Sequence, residues 1–336
     1  MTADQSPLTI QDIGGEFALI DRLARRSPTT HPDLLAGIGD DAAVIDRTFT
    51  DGDYLLVTTD MLVENSHFRR DWATPSQIGA KSVACNVSDI AAMGGTPTFM
   101  FVSLVLASDS DVAWVEALYQ GMADACRRYG LVLAGGDTTH GDAVTISITL
   151  LGRVSPSDLR LRSHARPGEL LCVTGHLGGA AAGLAMLSAG LDPYDYLRDK
   201  HLNPGCRLDV APTIAPLARA MIDISDGLAA EVNHLCDQSG TGAEIIAADI
   251  PIHPTVREAA RLTGKDPLAF ALSGGEDFEL LFSISPQNRQ RLEDKGLEAI
   301  VVGRVTSASL GRRLILPDGS KTFLPGGYNH FSSTAD

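Results

Sequence analysis

The chain has 336 residues, 44% of them hydrophobic and 5% aromatic, a globular composition at a length that suits two domains. Its 27 Lys+Arg against 42 Asp+Glu leave a formal net charge of -15, so the average surface repels duplex nucleic acid and anionic membrane. A polyanionic ligand is then held only through metal ions or a local basic spot. The five cysteines (Cys85, Cys126, Cys172, Cys206, Cys236) stand far apart and in no C-x-x-C spacing, which argues against a disulfide framework or a zinc knuckle. They read as buried thiols in a reducing compartment. The most apolar run, Thr98 to Ala107, is well short of the roughly 18 residues that span a bilayer. The start Met1-Thr2-Ala3-Asp4-Gln5 has no basic and then apolar signal, so a cytoplasmic protein is expected.

Along the chain, Tyr54 to Thr59 predicts a strand that ends at Asp60, placing a carboxylate at its mouth. Pro75 to Met93 predicts a helix with Val83, Val87 and Ile90 on one face and Ser82, Asn86 and Asp89 on another, stopped by Gly94-Gly95 and Pro97. Thr98 to Leu106 reads as a buried strand and Asp111 to Tyr129 as a helix. Leu131 to Ala134 reads as a strand ending in Gly135-Gly136-Asp137, and Val144 to Leu151 as another strand. Residues 152–168, rich in Pro, Ser and Arg, mark the boundary between a first lobe, 1–152, and a second, 153–336. In the second lobe Glu169 to Thr174, Met221 to Ile224, Ala243 to Ala247 and Phe278 to Ser283 predict strands. Gly178 to Ala189 and Leu208 to Ala220 predict helices, and Ser225-Asp226 is suited to capping a third. Both lobes alternate strands with helices, an α/β (α+β) pattern.

The acidic residues stand in repeated contexts: Asp40-Asp41 after Gly39, Asp60 after Thr58-Thr59, Asp89 on a helix, Asp137 after Gly135-Gly136, Asp223 and Asp226 around Ser225, and Glu276-Asp277 after Gly274-Gly275. A single Asp in a turn is usually a cap or an Asx turn. Repetition with neighbouring hydroxyls (Thr58, Thr59, Ser82, Thr138, Ser225) points instead to a shared cation, because gathered carboxylates repel unless neutralised. All-oxygen donors favour magnesium, manganese or calcium over zinc. There is no G-x-x-x-x-G-K-[ST] loop and no G-x-S-x-G elbow. Gly37-Ile38-Gly39-Asp40-Asp41-Ala42 fits a dinucleotide fingerprint only formally, since two aspartates in that turn would repel a pyrophosphate. Arg160, Arg162 and Arg166 break the acidic trend; the bland reading is a solvated linker, and a nucleotide phosphate needs at least one such fork.

Six runs together resemble the thiamine-phosphate kinase family, within the aminoimidazole ribonucleotide synthetase-like superfamily. They are Gly37 to Ala42, Thr58 to Glu64, Asn86 to Gly95, Gly135 to Thr139, Asp223 to Leu228 and Ser273 to Leu280. The resemblance implies ATP-dependent phosphorylation of thiamine monophosphate to thiamine diphosphate, assisted by several Mg2+ ions. It further implies a homodimer formed through the sheet of the N-terminal domain, and a site in the cleft between the domains. The matching positions are Asp41, Thr58, Thr59, Asp60, Asp89, Asp137, Asp223 and Asp226 for metal. Tyr119, Gly136, Asp137, Arg162 and Ser225 match for nucleotide, and His67, Glu276 and Tyr328 for thiamine. This chain departs from the family pattern at Asn65-Ser66, before His67, and at Gly175-His176-Leu177-Gly178-Gly179. Arg160 competes with Arg162, and Phe331 with Tyr328. The other readings are a synthetase of the same superfamily and a non-catalytic acidic protein that binds divalent cations.

Overall fold

The computed structural model describes residues 33–36, 40–46 and 52–328. Met1 to Gln5, Gly37 to Gly39 and Phe331 lie outside the described residues.

The first lobe comprises β1 (Leu34–Ala36), β2 (Ala43–Ile45), β3 (Tyr54–Val63), α1 (Pro75–Ala92), β4 (Thr96–Leu106), α2 (Val112–Tyr129), β5 (Val132–His140) and β6 (Thr145–Val154). The strands form one sheet in the order β1-β2-β3-β6-β4-β5, antiparallel except for the β4–β5 pair. Period-2 alternation sends Leu56, Met100, Val102, Ile146 and Ile148 inward onto Ile78, Val83, Val87 and Leu118 of the two helices. Each such aliphatic side chain contributes about 1.5–3 kcal/mol on burial. Thr74 starts α1 through a reciprocal capping box with Gln77, and Pro75 occupies its first turn. α1 is buried nearly all round, because its C-terminal Ala91 and Ala92 pack into a second cluster with Ile214, Met221 and Phe282.

The second lobe comprises β7 (Leu170–Val173), α3 (Gly179–Ser188), α4 (Asp195–Leu202), α5 (Ala211–Ile214), β8 (Ala220–Asp223), α6 (Leu228–Ser239), β9 (Thr241–Ile246), α7 (Pro254–Thr263), α8 (Pro267–Ser273), β10 (Leu280–Ile284), α9 (Pro286–Glu293), β11 (Ile300–Ser307), β12 (Arg312–Ile315) and β13 (Lys321–Phe323). Its sheet runs β13-β12-β9-β11-β7-β10-β8. Among the described residues no helix is long and apolar enough to cross a membrane.

Several expectations are corrected. β3 continues through Asp60 to Val63, so Asp60 sits inside a strand opposite Ile148 and not at its mouth. β5 likewise runs through Gly135-Gly136-Asp137, because β4 pairs with it as far as His140. β4 is buried on one face only: Phe99 and Phe101 are exposed. β6 extends to Val154, past the strand end expected at Leu151. Leu208 to Ala220 is helical only over Ala211–Ile214, and Ala220 already belongs to β8.

Candidate active site

β3 brings Thr58 and Asp60 to its inner face, α1 presents Asn86, Ser88 and Asp89 to the same space, and Asp41 precedes β2. From the other lobe, Asp223 enters as the last residue of β8. One carboxylate oxygen each from Asp41, Asp89 and Asp223 lies within 4.8 Å of the others. Thr58 Oγ1 donates to Asp89 Oδ2 at 2.5 Å and Ser88 Oγ to Asp223 Oδ2 at 2.6 Å, while Asn86 Oδ1 accepts from the Asp60 amide at 3.2 Å. Ser88 therefore joins the lobes hydroxyl to carboxylate.

Burial and mutual repulsion govern the titration of this group. Burial, then the charges of Asp60, Asp223 and Asp41, pushes Asp89 well above the carboxylate range, with Thr58 opposing. Asp223 rises well above that range from burial and from Asp41, with Ser88 opposing. Asp60 is pushed up to about 6 by burial and Asp41. Asp40 is pushed up to about 7 by burial and Asp41, against Arg162. Arg162 meets Asp41 as a fork, Nε to Oδ2 at 3.0 Å and Nη2 to Oδ1 at 2.7 Å, and its amide donates to Asp40 at 3.3 Å. Burial works against that guanidinium's charge, but Asp41 more than compensates and raises its pKa. The structure thus separates two competing arginines: Arg162 reaches the cluster, whereas Arg160 turns away and donates to the Ser157 and Leu159 carbonyls.

The remaining predicted positions divide. Thr59 is on the opposite face of β3 from Thr58, with its hydroxyl donating to the Ile148 carbonyl at 3.0 Å. Asp137 is exposed on β5, where its Oδ1 accepts from the Thr138 amide, and it is not one of the three carboxylates that approach within 4.8 Å of one another. A Cβ on Gly136 would lie 1.9 Å from the Val102 carbonyl oxygen, so the approach of β4 to β5 already requires this glycine. Tyr119 is partly buried against the first-lobe core. Ser225 and Asp226 do not cap α6, whose N-cap is Gly227; their amides donate to Glu231 at 3.3 and 2.9 Å. Glu231 is pushed up to about 8 by burial and Asp226. The exposed Tyr328 donates its amide to the Asp226 carbonyl at 3.0 Å.

Lys81, which the sequence reading passed over, ties two predicted positions together. It is buried, with Nζ donating to the His67 carbonyl at 3.0 Å and to Glu276 Oε2 at 2.8 Å, and it lies 2.7 Å from Glu276 Oε1. The ion pair with Glu276 crosses the lobe boundary. Glu276 takes φ of 59° in a segment where Phe278 also has positive φ, and neighbouring His201 is pushed down to about 4 by burial and by Lys81. A lysine within an apolar helix pattern offers no signal for such a bond. Ser88, by contrast, stands inside the Asn86 to Gly95 motif.

The arrangement gathers hard oxygen donors from both lobes in a buried cleft, a donor set that suits magnesium or manganese. Comparison with known proteins agrees with this architecture. Residues 39–154 match the AIR synthase related protein N-terminal domain, and residues 166–314 the AIR synthase related protein C-terminal domain. The thiamine-monophosphate kinase of Buchnera aphidicola subsp. Schizaphis graminum is 34% identical, over 94% of this chain and 98% of its own. That of Mycobacterium tuberculosis is 40% identical, over 83% of each. The chain belongs to the thiamine-monophosphate kinase family. AaThiL complexed with AMPPCP and TMP superposes with a TM-score of 0.85 at 34% identity, covering 97% of this chain and 99% of that one. Hydrogenase maturation protein HypE in complex with ATP, at 21% identity and a TM-score of 0.69 over 95% and 98% of the two chains, shares the fold.

Proposed function

We propose that this family member transfers the γ-phosphoryl group of ATP to thiamine monophosphate, yielding thiamine diphosphate and ADP. The observation that carries the reading is the meeting of Asp41, Asp89 and Asp223, from both lobes, within 4.8 Å in a chain related over nearly its full length to thiamine-monophosphate kinases. An acceptor phosphate oxygen attacks Pγ in line as the bond from Pγ to the β,γ-bridging oxygen breaks, and ADP departs with that electron pair. Both reactants are anions, so the obstacle is repulsion, and positioning with charge compensation supplies the catalysis. Several Mg2+ ions, when bound, supply that compensation. Asp41, Asp60, Asp89 and Asp223, with the Thr58 hydroxyl, hold them, and Thr59, Asp137 and Asp226 complete the set implied by the family. Arg162 exchanges its fork on Asp41 for a nucleotide phosphate, beside Tyr119, Gly136, Asp137 and Ser225. His67, Glu276 and Tyr328 face the thiamine side. The acceptor oxygen is anionic near neutrality, so no strong general base is needed.

The second lobe, 153–336, closes the cleft that the first, 1–152, opens. The outer sheet face carries Met61, Phe99 and Phe101 at 55%, 49% and 41% exposure, a patch suited to a second copy of the chain. We take the protein to be a homodimer through this face, with Phe101→Asp giving monomers in light scattering. The five cysteines are all buried and unpaired, which supports a reducing, cytoplasmic setting. Incubation with ATP, Mg2+ and thiamine monophosphate is expected to produce thiamine diphosphate and ADP in equal amounts. ADP formation only with another acceptor would favour a synthetase. Absence of Mg2+-dependent binding of a non-hydrolysable ATP analogue in calorimetry would favour a cation-binding protein.

A further inference from the structure

Arg160 and Arg166, left unused by the reaction, line a groove where the inter-lobe segment meets the second lobe. Its volume is about 750 Å³, and Arg160, His164, Arg166, Glu169, Arg219 and Asn288 are among its walls. The single carboxylate in that lining is already occupied: Glu169 Oε1 accepts from Arg219 Nε, and Oε2 accepts from Ser283 Oγ and the Arg166 amide, each at 2.9 Å. Arg160 Nη1 donates to two backbone carbonyls, while its buried Nε has no hydrogen-bond partner among the described residues. Burial and the Arg219 charge act against the Arg160 guanidinium, with Asp158 opposing. Two guanidinium groups thus share a groove with a third whose carboxylate is already engaged, in a chain of net charge -15. Guanidinium forks without carboxylates are built to receive phosphate oxygens, and a buried donor with no acceptor is the group that gains most from one.

We propose that this groove is an anion site, separate from the acidic cleft, that takes a small molecule bearing a diphosphate group through Arg160 and Arg166. Arg162, two residues along, faces the other way and is held by Asp41, so the two arginine sets serve different sites. The inference stands apart from the proposed reaction and needs no divalent ion. The test is titration calorimetry of the full-length protein with inorganic pyrophosphate in EDTA, which removes the metal-dependent route into the cleft. Saturable binding is expected, weakened about tenfold or more in Arg160→Gln/Arg166→Gln and unchanged in Arg162→Gln. Circular dichroism verifies that each variant is folded, and Arg166→Gln alone, at an exposed position, provides a milder version of the same loss. No saturable binding to the wild type, binding that survives the double substitution, or loss in Arg162→Gln instead would each overturn the proposal.

Discussion

Two sets of buried acids in this molecule behave differently. In the second lobe Glu279 is almost fully enclosed by partners: Lys200 at 2.9 Å, Arg207 at 3.2 Å and Thr174 at 2.8 Å. Asp277 beside it accepts from the amides of Gly178 and Gly179 at 2.7 and 3.0 Å, at the N-terminus of α3. Burial pushes Asp277 up to about 7, opposed by the Gly178 amide, Lys200 and the Ala180 amide. In the cleft, Asp41, Asp89 and Asp223 face one another, with Arg162 the cation in contact among the described residues. Acids of the first kind hold the protein together. Acids of the second kind repel one another, which is the arrangement that the proposed metal site requires.

Substitutions should separate the two sets. Glu279→Ala leaves Lys200 and Arg207 without their buried partner and should cost about 3–5 kcal/mol in urea unfolding, with or without Mg2+. Asp89→Asn should act in the opposite sense: thermal stability without metal rises as repulsion is relieved, while Mg2+-dependent turnover falls about 100-fold or more. A variant with full activity would remove Asp89 from the metal set.

The pH response sharpens the contrast further. The folded cleft retains protons that the unfolded chain releases near the ordinary value of 3.8. The contribution of these two groups to the stability of the metal-free protein is therefore greatest below that value and is lost as pH rises through about 6 for Asp60 and about 7 for Asp40. Saturating Mg2+ binds the ionised form and should flatten that decline in a series of melting curves. The smallest effect is expected for Thr58→Val, which removes one donor to Asp89: about 1 kcal/mol, together with a modest weakening of Mg2+ affinity measured by calorimetry.

Much of this was legible along the chain. α1 matches the span predicted from the sequence almost to the residue, because Pro75 and Gly94-Gly95 are local signals. The strands run past the ends predicted at Asp60 and Asp137, since whether a strand continues depends on the neighbour that pairs with it, β6 for one and β4 for the other. Asp41, Asp89 and Asp223 were each visible as acids in telling contexts, but their meeting depends on packing two lobes together.

Local composition and spacing decide which segments become helices, which side chains are acids or arginines, and which family the motifs resemble, because these depend on residues near in sequence. The direction each side chain faces was settled only by the folded pairing. Thr58 and Thr59 diverge because a strand alternates its faces, and Arg160 and Arg162 part because the segment between the lobes is pinned on both sides. The Lys81 bond to Glu276 joins residues nearly 200 positions apart, and no local pattern encodes a contact that long-range packing creates.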